Sequence, residues 1–429
     1  MIPINEQLYP LPVGWQWVRL GDVTKNQYGY TAKALKNDSL PKMLRITDIQ
    51  NGAVNWHEVP NCEIDNEQKK KYLLQDNDIV IARTGATTGK SYIISNPINS
   101  VFASYLIRLQ ISKPINVRYL YYFLQSDLYW QQISELSAGI AQPGVNSSKL
   151  KRMPFPLPPL DEQQRNVSLL DELFADLDEA KVLAQSVVEG SKLRRAAILH
   201  KAFTGEISRL WRDEHGTTLD SWQRCRLGDV CQINPPKIST RDLSDDLEIS
   251  FVPMATVSEV RGEITAQQKK FLREVKSGFT NFAEGDVLFA KITPCMENGK
   301  AAFVGELVNH IGYGSTEFFV LRCGEKILNH FVYHLVRWQI FRNEAKSVMA
   351  GAVGQQRVPK RFLTSYQLNL PPPEEQKEIV RLLDDLLGRE QRTKKIALKT
   401  VERVELMKKS ILARAFRGEL GINKNLRAI

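Results

Sequence analysis

The sequence is short of everything a membrane-spanning or secreted protein needs. No apolar run approaches the eighteen or so residues of a bilayer span, and the opening Met1-Ile2-Pro3-Ile4-Asn5-Glu6 has no signal-peptide character. Cysteine is scarce: Cys62, Cys225, Cys231, Cys295 and Cys323 are odd in number and form no CxxC pair. That usage fits reduced thiols and a cytoplasmic location. Six histidines leave little material for metal sites. His330 and His334 lie one helical turn apart but lack the glutamate of an HExxH site, so they read as one face of a helix. No GxGxxG loop and no Ser/His/Asp or Cys/His constellation stands out. What the chain does have is positive charge, +10 over 429 residues with a pI near 9.2. That balance favours a polyanionic partner, most often nucleic acid. Hydrophobic residues at 43% and charged residues at 25% are ordinary for a globular protein, and the length calls for two or more domains.

The chain carries one helical stretch twice. Phe155-Pro156-Leu157-Pro158-Pro159-Leu160-Asp161-Glu162-Gln163 opens the first copy, and Ala202-Phe203-Thr204-Gly205-Glu206 closes it. Leu368-Asn369-Leu370-Pro371-Pro372-Pro373-Glu374-Glu375-Gln376 opens the second, and Ala415-Phe416-Arg417-Gly418-Glu419 closes it. Pro158 to Pro371 and Phe203 to Phe416 are both displaced by about 213 positions, which marks an internal duplication. Prolines punctuate each start, and Asp161 with Gln164 resembles a capping box. Gly205 and Gly418 sit where a left-handed cap belongs, with Lys201 and Arg414 in the last turns.

Apolar residues between these limits fall three and four apart. They are Leu170, Leu173, Leu177, Ala180, Ala184, Val187 and Ile198 in the first copy. The same offset gives Leu383, Leu386, Glu390, Thr393, Ala397, Thr400 and Ile411 in the second, a heptad-like seam with a weak place near Gly190. A helix of about 44 residues, about 66 Å long, needs a partner, and the other copy is the obvious one. Each copy opens acidic (Asp161, Glu162, Asp171, Glu172; Glu374, Glu375, Glu378, Asp384) and closes basic (Lys192, Arg194, Arg195, Lys201; Lys408, Lys409, Arg414). The gradient suits each helix's own dipole, and it also selects antiparallel pairing.

The segment before each helix is duplicated too. Trp15-Gln16-Trp17-Val18-Arg19-Leu20-Gly21-Asp22-Val23 returns as Trp222-Gln223-Arg224-Cys225-Arg226-Leu227-Gly228-Asp229-Val230, and Asp78 to Arg83 returns as Asp286 to Lys291. Gly89-Lys90 matches Gly299-Lys300, and Gly139 and Gln142 match Gly351 and Gln355. Between these anchors the halves diverge: 27–67 has little in common with 233–276. Residues 16–24, 43–49, 78–83, 91–95 and 102–111 read as strands, and 116–136 as a helix, echoed near 327–346. Trp211 to Ser221 reads as a polar linker. The expected architecture is mixed α/β (α+β). A first globular domain covers 1–157, a first long helix 158–208, a linker and second domain 209–370, and a second helix with a tail 371–429.

In their duplicated order, the proline-proline-acid-Glu-Gln helix starts, the Ala-Phe-x-Gly-Glu helix ends and the Trp-x-x-x-Arg-Leu-Gly-Asp-Val domain starts resemble the specificity subunits of type I restriction–modification enzymes. The resemblance covers nearly the whole chain. It implies a non-catalytic, double-stranded-DNA-binding subunit whose two target-recognition domains each read one half of a bipartite asymmetric site. The paired helices would set the spacing and dock two methyltransferase subunits. S-adenosylmethionine, ATP and Mg would then belong to the modification and restriction/translocase partners, with no cofactor or metal on this chain. Opposite-facing domains on antiparallel helices would match the twofold of duplex backbone, with half-sites about 34–36 Å apart.

Candidate residues follow from charge and position. Tyr28, Tyr30, Lys33, Lys36 and Arg45 interleave aromatic and basic character in the first variable region, and the second offers Lys237, Arg241, Arg261, Lys269 and Lys270. Arg83, Lys90, Lys291 and Lys300 flank two matching turns suited to phosphate. The turn at Arg83 to Ser91 looks like a nucleotide loop, but its glycines are one position too close and a strand follows. Partner contacts are assigned to the seam (Leu170, Leu173, Leu177, Leu383, Leu386, Ile411) and the helix starts (Glu162, Gln163, Glu375, Gln376). Two rival readings stand beside this one. Asn234-Pro235-Pro236-Lys237 resembles an adenine-methyltransferase site without the aromatic that must stack on a flipped base. A scaffold whose domains bind no DNA is the other.

Overall fold

A computed structural model of the chain describes residues 9–50, 52–137, 144–240, 242–352 and 354–420. The chain divides into two compact units, Met1–Gln185 with Leu398–Ile429, and Ser186–Ala397. Each unit therefore holds a globular domain, the start of one long helix and the end of the other.

In the first unit a four-stranded antiparallel sheet runs in the order Thr24–Tyr28, Leu106–Ile111, Ile79–Ala82, Ser91–Ile93. A parallel pair, Lys42–Leu44 with Ser100–Phe102, lies beside it in the chain's topology. The second unit repeats the plan with Cys231–Ile233, Phe318–Cys323, Val287–Ala290 and Ala301–Phe303. Its parallel pair, Glu248–Val252 with Gly312–Gly314, is widened by Gln268–Phe271 and Thr280–Phe282. In both units the expected first strand is interrupted. Asp22 and Asp229 accept hydrogen bonds from the N–H of Arg19 and Arg226, and the chain makes one helical turn before the next strand starts. The expected strand 102–111 is likewise broken between Phe102 and Leu106, and strand 43–49 gives way to a 3-10 turn at Ile46–Asp48. Helix 116–136 is two helices, Val117–Phe123 and Asp127–Ser137, and the echo near 327–346 is Asn329–Arg337 and Gln339–Ser347.

Each domain is closed by a two-stranded antiparallel ribbon. Gln16–Arg19 pairs with Pro154–Leu157, and Gln223–Arg226 pairs with Gln367–Leu370. The second strand of each ribbon leads directly into a long helix, Leu160–Phe203 or Pro373–Phe416. Because the first helix begins at Leu160, Asp161 lies inside it and forms no capping box, and Gln164 instead accepts from the Asn116 side-chain amide. At the far ends Gly205 and Gly418 adopt φ of 80° and 74°, the left-handed conformation expected for them.

Within each unit the two helical segments run antiparallel. In the first unit Asp178 pairs with Lys408 at 2.5 Å and Lys181 with Glu405 at 2.6 Å, residue numbers rising on one helix as they fall on the other. Val167 and Leu170 share a core with Leu412, Ala415 and Phe416. In the second unit Leu199 and Ala202 share a core with Ile379, Leu383 and Leu387. The seam of the second helix passes through Leu387 and Leu412 more fully than through Leu386 and Ile411, which are half-buried, and Thr393 is exposed. The weak place near Gly190 is filled by polar contact. Buried Ser191 donates to Glu390 at 3.0 Å, and Arg194 bonds the same carboxylate at 3.1 Å. The last residue of each helix plugs the domain of its unit. Phe416 lies 5.2 Å from the Tyr119 ring and 5.6 Å from Phe123, and Phe203 lies 5.2 Å from both Phe331 and Trp338.

A glutamine fixes each helix start. The Gln163 carbonyl accepts from Asn116 N–H at 2.9 Å, and its amide donates to Pro158 O at 2.8 Å. Gln376 repeats this with Leu328 N–H at 2.9 Å and Pro371 O at 2.8 Å, and adds Lys326 O at 2.9 Å. Both side chains are buried. A second duplicated device holds the sheets: Asp78 pairs with Arg108 at 3.1 Å, and Asp286 with Arg322 at 2.7 Å. Gln376→Leu should therefore leave a buried N–H and carbonyls unpaired and lower stability by about 1–3 kcal/mol, read from denaturant unfolding.

His334 on the Asn329–Arg337 helix bonds Asp384 on the long helix at 3.1 Å. Burial holds the imidazole below the ordinary histidine pKa. The Asp384 carboxylate opposes the shift, while Arg337 and His330 add to it. A folded pKa below the unfolded one means the unfolded chain binds the proton more readily. The stabilisation is therefore complete above the unfolded value and is lost as pH falls below about 6.5. Between about pH 7.5 and 5.5 the midpoint of denaturation should fall, and it should fall less steeply in His334→Asn.

Candidate nucleic-acid interface

The duplicated turns after Ala82 and Ala290 give equivalent sites in the two domains. Arg83 N–H donates to Tyr105 O at 3.0 Å and Arg83 O accepts from Val145 N–H at 2.9 Å. Lys291 N–H donates to Glu317 O at 2.9 Å and Lys291 O accepts from Val358 N–H at 2.8 Å. The backbone frame is the same; the side chains it presents are not.

In the first domain the frame presents an open aromatic and cationic edge. The Arg83 guanidinium stacks over the Tyr28 ring at 5.0 Å, and the Tyr28 hydroxyl accepts from Ser147 N–H at 2.9 Å. Tyr30 bonds through its backbone to Phe102 and Ser104, and its ring lies 5.4 Å from Tyr72. Tyr28 is 40% exposed and Tyr105 62% exposed. Sequence reasoning missed Tyr105, whose only signal was an isolated aromatic between two strands. Lys33, Lys36 and Lys90 are exposed. Arg45 is not available in the same way. Asp48 takes its Nε at 3.0 Å and Nη2 at 2.7 Å, which neutralises the guanidinium and holds its pKa up.

In the second domain the corresponding edge is more fully paired. Lys291 is half-buried over Phe319 at 5.7 Å. Glu317 is held by Arg357 at 2.8 Å, which keeps the carboxylate below its usual range. Lys300 turns inward and donates to Met254 O at 3.1 Å, so it does not present its charge to a phosphate from this turn. Lys237 is exposed. Arg261 pairs with Glu263 at 2.9 Å, Lys269 with Glu248 at 3.3 Å, and Lys270 lies 4.5 Å from the Phe251 ring. Arg241 lies outside the described residues, as do Gly139 and Gln142.

The motifs that suggested other chemistry are structural. The Arg83–Ser91 turn is a hairpin connection with a 3-10 turn at Gly85–Thr87, and no helix follows it. The Asn234 side chain accepts from Val320 N–H at 3.0 Å, locking the Asn-Pro-Pro turn to a strand. His330 packs on Phe303 and His334 faces Asp384. Among the described residues no cluster of His, Cys, Asp and Glu could hold a metal ion, and no helix is long and apolar enough to cross a membrane.

Three of the four helix-start residues assigned to partners are spent inside the fold. Gln163 and Gln376 are the clamps described above, and Glu375 is wholly buried. It accepts from Arg212 at 2.5 Å, Ser208 at 2.8 Å and Trp222 Nε1 at 2.8 Å. The stretch expected to be a polar linker is anchored at one point, with a helix at Arg209–Glu214 and Arg212 buried against the long helix, while residues 213–220 are exposed. Leu170 and Leu383 are also buried in their own units, while Glu162, Leu173, Leu177, Leu386 and Ile411 are half-buried.

Two mixed α/β domains on one duplicated frame, each joined to a long helix and each with a variable edge, define a modular recognition subunit. The family profile described as "Type I restriction modification DNA specificity domain" matches residues 12–185 and 220–402, and the chain belongs to that family. It is 27% identical over 428 residues to the type I restriction enzyme StySPI specificity subunit of Salmonella potsdam, covering 96% of this chain and 90% of that one. To the EcoAI specificity subunit of Escherichia coli it is 40% identical over 172 residues, 39% of this chain and 28% of the relative. The crystal structure of the HsdS subunit from Thermoanaerobacter tengcongensis shares the fold, with a TM-score of 0.61, 19% identity, and coverage of 97% of this chain and 100% of that one.

Proposed function

We propose that the chain is the DNA-recognition subunit of a type I restriction–modification complex and performs no catalysis itself. The observation that carries this reading is the family match over both halves of a duplicated frame whose interiors diverge. Each domain reads one half of a bipartite double-stranded site. In the first domain the reading edge is built from Tyr28, Tyr30, Arg83 and Tyr105, with Lys33, Lys36 and Lys90 supplying charge towards phosphates. Lys237 and Lys291 are the second domain's counterparts.

The two long helices fix the spacing between half-sites and dock two methyltransferase subunits, and through them the restriction/translocase subunits. Exposed apolar side chains on the first unit's helical segments, Val182, Leu398, Leu406 and Met407, support docking there. Methyl transfer, ATP hydrolysis and cleavage, with S-adenosylmethionine, ATP and Mg, belong to those partners. A single-chain adenine methyltransferase is disfavoured by Asn234, whose side chain is committed to the backbone of Val320.

Replacing the region between Trp222 and Leu370 with that of a relative should change one half of the recognised sequence. A change in both halves, or in neither, overturns the modular reading. Arg83→Gln should weaken binding of cognate duplex by about 1–3 kcal/mol if Arg83 meets a base, or lower the salt slope by about one if it meets a phosphate. Unchanged affinity and slope, measured across a salt series with the methyltransferase partners present, would remove Arg83 from the interface.

A further inference from the structure

Within the second unit, the first long helix, the turn at Glu297–Gly299 and the two helices Asn329–Arg337 and Gln339–Ser347 surround a cleft of about 860 Å³. Lys192, Arg195, Arg337, Arg342 and Lys394 line it. Among the described residues no carboxylate forms an ion pair with any of the three arginines. Arg337 is braced by carbonyls instead: Arg261 O at 2.8 Å, Val260 O at 3.0 Å and Glu259 O at 3.3 Å, with the Tyr333 hydroxyl at 2.5 Å. Arg342 donates to Glu297 O at 2.7 Å and to the Gln339 side chain at 2.8 Å, and its Nε is buried without a partner. The carboxylate acting on Arg195 is Glu390, which Ser191 and Arg194 already hold.

These cations are also partly out of water. Burial, then the neighbouring Arg337, pushes the pKa of both Arg195 and Arg342 down. Gathering desolvated guanidiniums without an anion is unfavourable, and a bound anion removes the cost.

The duplicated positions in the first unit show the same place filled. Gly89, the counterpart of Gly299, backs onto Trp130 and Ile133, where Gly299 backs onto Arg342. Lys408, at the offset of Arg195, pairs with Asp178 and lies over Phe174. Gln125, at the position of Arg337, donates to the Ser91 hydroxyl at 2.7 Å. The unneutralised cluster is therefore a feature of the second unit and not of the shared frame.

We propose that this cleft binds a small phosphorylated compound carrying at least two negative charges, its phosphate seated on Arg195 and Arg342 beside the positive charge of the carbonyl-braced Arg337. The planar guanidinium fork matches phosphate oxygens, and a phosphate supplies the charge these cations lack. The volume falls in the range of small-molecule pockets. Buried Leu199 and Leu387 give it an apolar wall for the remainder of the ligand. Glu189 and Glu259, exposed and also part of its lining, oppose a long polyanion such as duplex DNA.

The test is calorimetric titration of the purified full chain with inorganic pyrophosphate at constant ionic strength. One saturable site is expected. Arg195→Gln and Arg342→Gln should each weaken it by roughly tenfold or more, and Lys113→Gln, an exposed cation of the first unit, should not. In thermal unfolding, pyrophosphate should raise the melting temperature of the native chain. Arg195→Gln should raise it without ligand, because it removes a repelling charge. Absence of saturable binding overturns the proposal, as does binding by both arginine variants as tight as that of the native chain. Displacement of pyrophosphate by duplex DNA, with Arg195→Gln weakening DNA to the same extent, would assign the cleft to the DNA surface and overturn it too.

Discussion

Each long helix is anchored by one buried amide. Gln163 and Gln376 tie the first turn of a helix both to the prolines before it and to the backbone that begins a domain helix, at Asn116 and Leu328. A glutamine has a donor and an acceptor on one planar group, and both are used here in a site closed to water. The direction of each helix as it leaves its domain is thereby fixed by hydrogen-bond geometry and not by the flexible reach of a loop. The antiparallel contacts further along, Asp178 with Lys408 and Ser191 with Glu390, occur where that direction brings the segments together.

The two units apply one frame with different side chains. The sheets, the parallel pairs, the closing ribbons and the Asp–Arg pairs with a buried aspartate recur. What differs is exposed. The first domain leaves Tyr28, Arg83 and Tyr105 towards solvent, whereas the second pairs Glu317 with Arg357 and adds two strands beside its parallel pair. Divergence at the edge with repetition in the core is what separate targets on a common scaffold require.

The frame was legible because its signals are local. Prolines, cap glycines and three-four spacing located both helices to within a few residues, and the charge gradient gave their direction in each unit. The strand interruptions at Asp22 and Asp229 were not, because an aspartate bonding its own backbone three residues back leaves the apolar pattern unchanged. One residue of the linker was misread for the opposite reason. Arg212 looks solvated until its partner is known, and Glu375 lies 163 positions away. Candidate cations suffered the same way: Arg45 and Lys300 carry the same formal charge as Arg83, but Asp48 and the Met254 carbonyl occupy them. Pairing is a property of the fold, and composition cannot report it.

The ribbons that close the domains carry a consequence for how such chains vary. Because Trp17 lies opposite Pro156 and Arg224 opposite Asn369, the entry and exit of each domain are stitched side by side at the root of a helix. Residues inserted or lost beyond that stitch change the length of a closed loop, and away from the helix-anchoring points at Asn116 and Leu328 they leave the root of the helix in place. Interior length is in this sense mechanically silent, and the domains can grow, shrink or be replaced while the helices keep their phase.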